Sequence, residues 1–123
     1  MKKKTILIAD DESNIRLMVS SMLSKDYLVL KASDGQEAID IARTQKPDLI
    51  LMDIMMPNVD GYSACHAIKK DKTTSTILVV MVTALGQELN QKFAEQMGAD
   101  GYVTKPFSLH SLTDVISRFL NRE

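Results

Sequence analysis

Apolar residues in this chain gather into five short runs, and the stretches between them repeat apolar positions every three or four residues. The runs Thr5–Ala9, Tyr27–Ala32, Asp48–Met52, Ile77–Thr83 and Asp100–Thr104 read as strands. The first, third and fourth are nearly continuous in apolar character, which suits parallel strands covered on both faces. Between them the spacing turns helical. Ile15, Met18, Val19, Met22 and Leu23 form one stripe, Leu89, Phe93 and Met97 a second, and Leu109, Leu112, Val115, Ile116 and Phe119 a third. Asp34-Gly35, Lys46-Pro47, Gly86, Gly98 and Pro106 fall at the joints, where turn-forming residues belong. There is no internal repeat, low-complexity tract or Ser/Gly linker.

Strict alternation of five strands with five helices implies right-handed crossovers and an α/β fold with a doubly wound parallel sheet. The flavodoxin-like strand order 2-1-3-4-5, with helices on both faces, is the expected arrangement. That order sets the ends of strands one and three side by side. Asp10 and Asp11 follow the first strand and Asp53 the third, with Asp60 shortly beyond, so acids converge where an open α/β sheet places its chemistry. Strands four and five end at Thr83 and Lys105, adding a hydroxyl and an ammonium to the same rim. Converging carboxylates repel unless a cation neutralises them, and the set predicts a divalent metal and an anionic substrate. Taken singly each residue has a plainer role: Asp10 and Asp11 as caps of the next helix, Asp53 in a solvent-exposed loop, Thr83 as a β-branched strand residue, Lys105 as a surface charge. Their co-occurrence at four strand ends favours the site. Asp60-Gly61 reads as a turn and helix start.

Length and charge narrow the class. The 123 residues, 45% hydrophobic and 25% charged, suffice for one compact domain over 1–123. A formal net charge of -1 gives no general attraction to nucleic acid or to an anionic membrane, so neither is expected as a direct partner. The opening Lys2-Lys3-Lys4 resembles the start of a secretion signal, but the apolar stretch after it is short and meets Asp10-Asp11-Glu12. No run approaches the roughly 20 residues of a membrane span. A single cysteine, Cys65, fits a reducing, cytoplasmic setting and reads as a buried small residue. His66 and His110 lie in helical segments away from the rim and read as ordinary surface or half-buried histidines.

With Ile8-Ala9-Asp10-Asp11-Glu12, Leu51-Met52-Asp53-Ile54-Met55-Met56-Pro57, Asp60-Gly61, Thr83-Ala84 and Lys105-Pro106-Phe107 in order, the chain resembles the receiver domains of two-component response regulators, including the single-domain chemotaxis type. The resemblance implies that Asp53 accepts a phosphoryl group from the phosphohistidine of a sensor kinase or phosphotransfer protein. It further implies magnesium held by Asp11 and Asp53, by Asp10 mainly through water, and by the Met55 main-chain carbonyl. Lys105 would pair with Asp53 before reaction and with a phosphoryl oxygen after it, Thr83 would donate to another oxygen, and small Ala84 would leave the approach open. Tyr102 would swing inward as Thr83 moves, changing the face of helix four, strand five and helix five toward a downstream protein; Gln87, Glu88, Gln91 and Glu95 give helix four a polar side. The same resemblance implies a cis Lys105-Pro106 bond, and a slow loss of phosphate because apolar Met55 and Leu85 flank the path of water. Such a protein is a switch acting only on its own phosphorylation, with no output domain expected in this chain. A haloacid dehalogenase-type phosphatase would need an acid where Met55 stands, and a flavodoxin would need a Ser/Thr/Gly-rich first loop where Asp10-Asp11-Glu12 stands.

Overall fold

A computed structural model describes residues 3–83 and 91–121. Strands β1 (Thr5–Ala9), β2 (Leu28–Ala32), β3 (Leu49–Asp53), β4 (Leu78–Thr83) and β5 (Gly101–Thr104) alternate with helices α1 (Ser13–Leu23), α2 (Gly35–Gln45), α3 (Gly61–Lys70), α4 (Gln91–Gln96) and α5 (Leu109–Leu120). The strands form one parallel sheet in the order β2-β1-β3-β4-β5, as the alternation predicts.

Because side chains alternate across a strand, each central strand feeds two cores. Leu7, Ala9, Ile50, Met52, Val79 and Met81 pack under α2, α3 and α4 against Ala38, Ala42, Ala64, Ile68 and Ala94. Their neighbours Ile6, Ile8, Leu49, Leu51, Val80 and Val82 pack under α1 and α5 against Val19, Leu23, Leu112, Ile116 and Phe119. Continuous apolar runs in β1, β3 and β4 are therefore the signature of strands with no solvent face. Edge strand β2 alternates less cleanly, leaving Leu28 exposed.

The expected elements shift at their ends. Tyr27, Asp48, Ile77 and Asp100 lie outside the strands, whereas Asp53 is the last residue of β3. In α1 and α5 one member of each expected stripe faces outward: Met18 is 38% exposed and Leu109 50%. Each lies on the flank of a stripe whose buried centre is Val19–Leu23 or Leu112–Ile116, so the helices bury narrower faces than the spacing suggests. In α4 the core contact comes from Ala94, while Phe93 sets its ring edge-on against Tyr62 at 4.9 Å between centroids. Leu89, Gly86, Ala84, Leu85, Gln87 and Glu88 lie outside the described residues.

Polar punctuation ends the helices as anticipated. Asp34 caps α2 by accepting the Glu37 N–H, and Asp60 caps α3 by accepting the Ser63 N–H. Lys46 closes α2 in a left-handed conformation. Cys65 is a buried free thiol whose pKa burial pushes up to about 12, which makes it inert packing. His66 and His110 are both exposed.

Candidate functional site

Strand register assembles the site. Ala9 stands opposite Met52, so the next residues, Asp10 and Asp53, leave the sheet together. Asp53 pairs with Val82 and Thr83 with Thr104, bringing Thr83 and Lys105 to the same edge. The Lys105 N–H donates to the Thr83 carbonyl at 2.7 Å, extending the β4–β5 ladder one residue past the strand, and the Lys105-Pro106 bond beyond it is cis. After Asp53 the chain must turn at once. Gly61 makes this possible, since a Cβ there would stand 2.2 Å from the Asp53 carbonyl oxygen.

The acids are not solvated caps. Asp10 is fully buried and Asp53 is 5% exposed, whereas Asp11 and Glu12 face solvent. The cap position of α1 falls on Glu12, which makes no side-chain cap bond, so neither Asp10 nor Asp11 fills the role that adjacency suggested. Every polar group of Asp10 is engaged: its N–H donates to the Ala32 carbonyl, Oδ1 accepts the Glu12 N–H at 2.9 Å, and Oδ2 accepts Lys105 Nζ at 2.8 Å. Lys105 thus takes Asp10 as its close partner. The expected Lys105–Asp53 ion pair is present but longer, with Asp53 Oδ1 at 3.9 Å. The reason is reach: Asp10 presents a buried oxygen with no other donor among the described residues, and a lysine held at the end of β5 satisfies it first.

Electrostatics follow from this crowding. Burial, together with the charge of Asp10 and in lesser measure Asp11, raises the Asp53 carboxyl to about 6 against the pull of Lys105. Burial alone would lower the Lys105 ammonium, but its hydrogen bond to Asp10 and the charges of Asp10 and Asp53 hold it above its ordinary value. Ligand atoms of Asp10, Asp11 and Glu12 lie within 4.8 Å of one another, a group able to hold a hard cation; Glu12 is a member the sequence did not single out, and Asp53 lies outside that trio. Met55, on the loop after β3, is 63% exposed. Among the described residues, one buried side-chain polar atom lacks a hydrogen-bond partner, and it is Thr83 Oγ1 at this same rim. A buried hydroxyl without a partner is unfavourable unless a ligand uses it.

Comparison with known proteins agrees with the fold: residues 6–117 match the response regulator receiver domain. The chain belongs to that family. Its relatives include the probable transcriptional regulator ycf27 of Guillardia theta, 42% identical over 121 residues, and the alkaline phosphatase synthesis transcriptional regulatory protein PhoP of Bacillus subtilis, 38% identical over 122. These alignments take in 98% and 99% of the chain but 46% and 50% of those proteins, so the chain spans about half their length. Among solved structures, a putative response regulator from Chloroflexus aurantiacus superposes with a TM-score of 0.91 at 30% identity, covering 98% of this chain and 100% of that one. The receiver domain of a Pseudomonas aeruginosa sensor histidine kinase, with magnesium coordinated in its active-site cleft, gives 0.89 at 28% identity, covering 98% and 100%.

The receiver domain also uses a residue that the strand-end pattern does not reveal. Arg16, in the second turn of α1, donates from Nη1 to the Asp10 main-chain carbonyl at 2.7 Å, completing the enclosure of Asp10. A signal was present: a cation near a helix N-terminus opposes the helix dipole and calls for a compensating acceptor. Tyr102, on β5, is 50% exposed, on the outer edge of the sheet. No helix among the described residues is long and apolar enough to cross a membrane.

Proposed function

We propose that this receiver domain is a phosphorylation-dependent switch in which Asp53 is the acceptor. The observation that carries the reading is the orphaned, buried Thr83 hydroxyl, set on the strand beside a buried carboxylate with a lysine between two acids. An Asp53 oxygen attacks phosphorus, the P–N bond to the donor's imidazole breaks, and the nitrogen keeps the electron pair, so that an imidazole protonated at its other nitrogen leaves neutral. Lys105 then turns toward a phosphoryl oxygen and the Thr83 hydroxyl donates to another, so that both groups gain their best partner only after transfer.

The donor set of buried and exposed carboxylates fits a hard divalent cation, and we assign magnesium to Asp11 and Asp53 with the Met55 carbonyl, and to Asp10 mainly through water; the magnesium-containing neighbour supports this. When bound, magnesium neutralises the acids and the incoming phosphoryl oxygens. Glu12, on the same cluster, adds its charge to those of Asp10 and Asp53 acting on Lys105.

The partners on this reading are a sensor histidine kinase or phosphotransfer protein upstream and a protein target downstream, in the cytoplasm, where the free Cys65 thiol is at home. The domain turns over no external substrate. Relatives named as transcriptional regulators point to gene expression as the output, while the near-neutral charge of this chain favours action through protein contacts, by way of Tyr102 and the α4–β5–α5 face.

Incubation with acetyl phosphate and magnesium is expected to add one acid-labile phosphoryl mass to the intact protein, and chelation of the metal to prevent it; modification that persists in excess chelator would overturn the metal assignment. Phosphate should leave slowly. A Met55→Asn, Leu85→Glu variant supplies polar groups able to orient water and is expected to lose phosphate faster by about tenfold, equivalent to roughly 1.4 kcal/mol of barrier. Decay of phosphoprotein after removal of donor checks this; an equal or slower decay refutes it.

A further inference from the structure

The loop that leaves Asp53 is a closed ring tied to a neighbouring helix. At its base the Gly61 N–H donates to the Ile54 carbonyl at 2.8 Å, and within it the Val59 N–H donates to the Pro57 carbonyl at 2.8 Å. Its first half is anchored by packing, since Ile54 and Met56 are buried. Its second half is not: Pro57, Asn58 and Asp60 are exposed and Val59 is half-buried. What holds that half is the start of α2. Asn58 Nδ2 donates to Asp34 Oδ2 at 2.8 Å, while Asp34 Oδ1 accepts the Glu37 N–H at 2.8 Å. One carboxylate therefore both caps α2 and grips the loop. The two backbones also touch, for a Cβ on Gly35 would lie 2.0 Å from the Val59 carbonyl oxygen. Asn58 adopts a left-handed φ of 67°, which asparagine tolerates well among residues that carry an amide. The Glu37 N–H and the Asn58 amide hold the Asp34 carboxyl below the usual carboxylate range, keeping it an acceptor at neutral pH.

We infer that Asp34 and Asn58 are positioning residues for metal binding: their bond holds the Ile54–Asp60 loop where the Met55 carbonyl can serve as a ligand. The inference rests on the magnesium assignment above and extends it to two residues outside the acid cluster. Neither touches the metal or the phosphoryl group. They act by removing freedom from a loop that would otherwise have to be ordered when the cation binds, so their loss appears in the magnesium requirement and not in the rate at saturation.

A charge exchange tests it. Asn58→Asp keeps a side chain that tolerates the left-handed backbone but sets carboxylate against carboxylate, opening the strap. Asp34→Asn with Asn58→Asp restores the bond with donor and acceptor reversed, and asparagine still caps α2. The measurements are magnesium binding by calorimetry and the magnesium concentration for half-maximal phosphorylation by acetyl phosphate. Asn58→Asp is expected to raise both by roughly three- to tenfold, with the saturated rate little changed, and the double variant to return within about twofold of wild type. Direction is decisive, because a new negative charge acting only through its field would tighten magnesium binding. An unchanged or lowered magnesium requirement in Asn58→Asp, or a double variant no better than the single, would overturn the inference. A wild-type protein that binds no magnesium and takes no phosphate would overturn the functional reading itself, and the two failures are distinct.

Discussion

An Asp53→Asn variant is expected to take no acid-labile phosphate from acetyl phosphate and to be more stable than wild type in metal-free buffer at pH 7. Both effects have one cause. Asp53 is a buried carboxylate beside Asp10 and Asp11, and its pKa is raised from 3.8 to about 6. The folded protein therefore holds that proton more tightly than the unfolded chain does. Below about pH 4 the group is protonated in both states and costs nothing; as pH rises from there to about 6 stability falls, and above that the loss is complete. Asparagine has the same shape without the charge, so it recovers this loss at neutral pH, on the order of 1–2 kcal/mol after allowance for the weakened attraction to Lys105. The gain should shrink toward zero on acidification to pH 4. Magnesium should stabilise wild type and do little for the variant. Urea denaturation at several pH values with and without magnesium, alongside intact-mass analysis, checks every part. Phosphate retained at the wild-type level would remove Asp53 as acceptor, and a variant less stable at pH 7 would show that the buried charge is not the strained group.

Lys105→Ala should act in the opposite sense. Among the described residues its ammonium is the sole donor to Asp10 Oδ2, and Asp10 is fully buried. Removing one partner of a buried pair leaves an uncompensated charge, typically a loss of about 3–5 kcal/mol. Because Lys105 is itself 16% exposed and water can follow the side chain out, a loss of about 2–3 kcal/mol is expected here. Magnesium should restore part of it by supplying positive charge to the same acids, whereas phosphorylation at saturating magnesium should remain slow because the phosphoryl oxygens lose their cation. The denaturation midpoint in chelator and in magnesium, compared with wild type, separates the two roles. A midpoint in chelator equal to wild type would mean that the Lys105–Asp10 contact contributes nothing to stability.

The alternation of apolar runs with helical stripes determined the fold class and strand order by itself, because short apolar runs regularly spaced between amphipathic helices fit strands buried on both faces, and because parallel strands require covering crossovers. It also determined which residues reach the rim, since Asp10, Asp53, Thr83 and Lys105 each end an apolar run and strand ends in this topology lie together. Pairing within the rim was decided only by tertiary structure. Lys105 joins Asp10 more closely than Asp53, Arg16 reaches the Asp10 carbonyl, and Glu12 enters the acid cluster, none of which follows from spacing, because the choice depends on which oxygen is buried without a donor and which side chain can reach it. The outward turn of Met18 and Leu109 and the Asp34–Asn58 strap are of the same kind. Periodicity along one chain records that a residue is apolar or polar; which neighbour, remote in sequence, satisfies it is a property of the packed molecule.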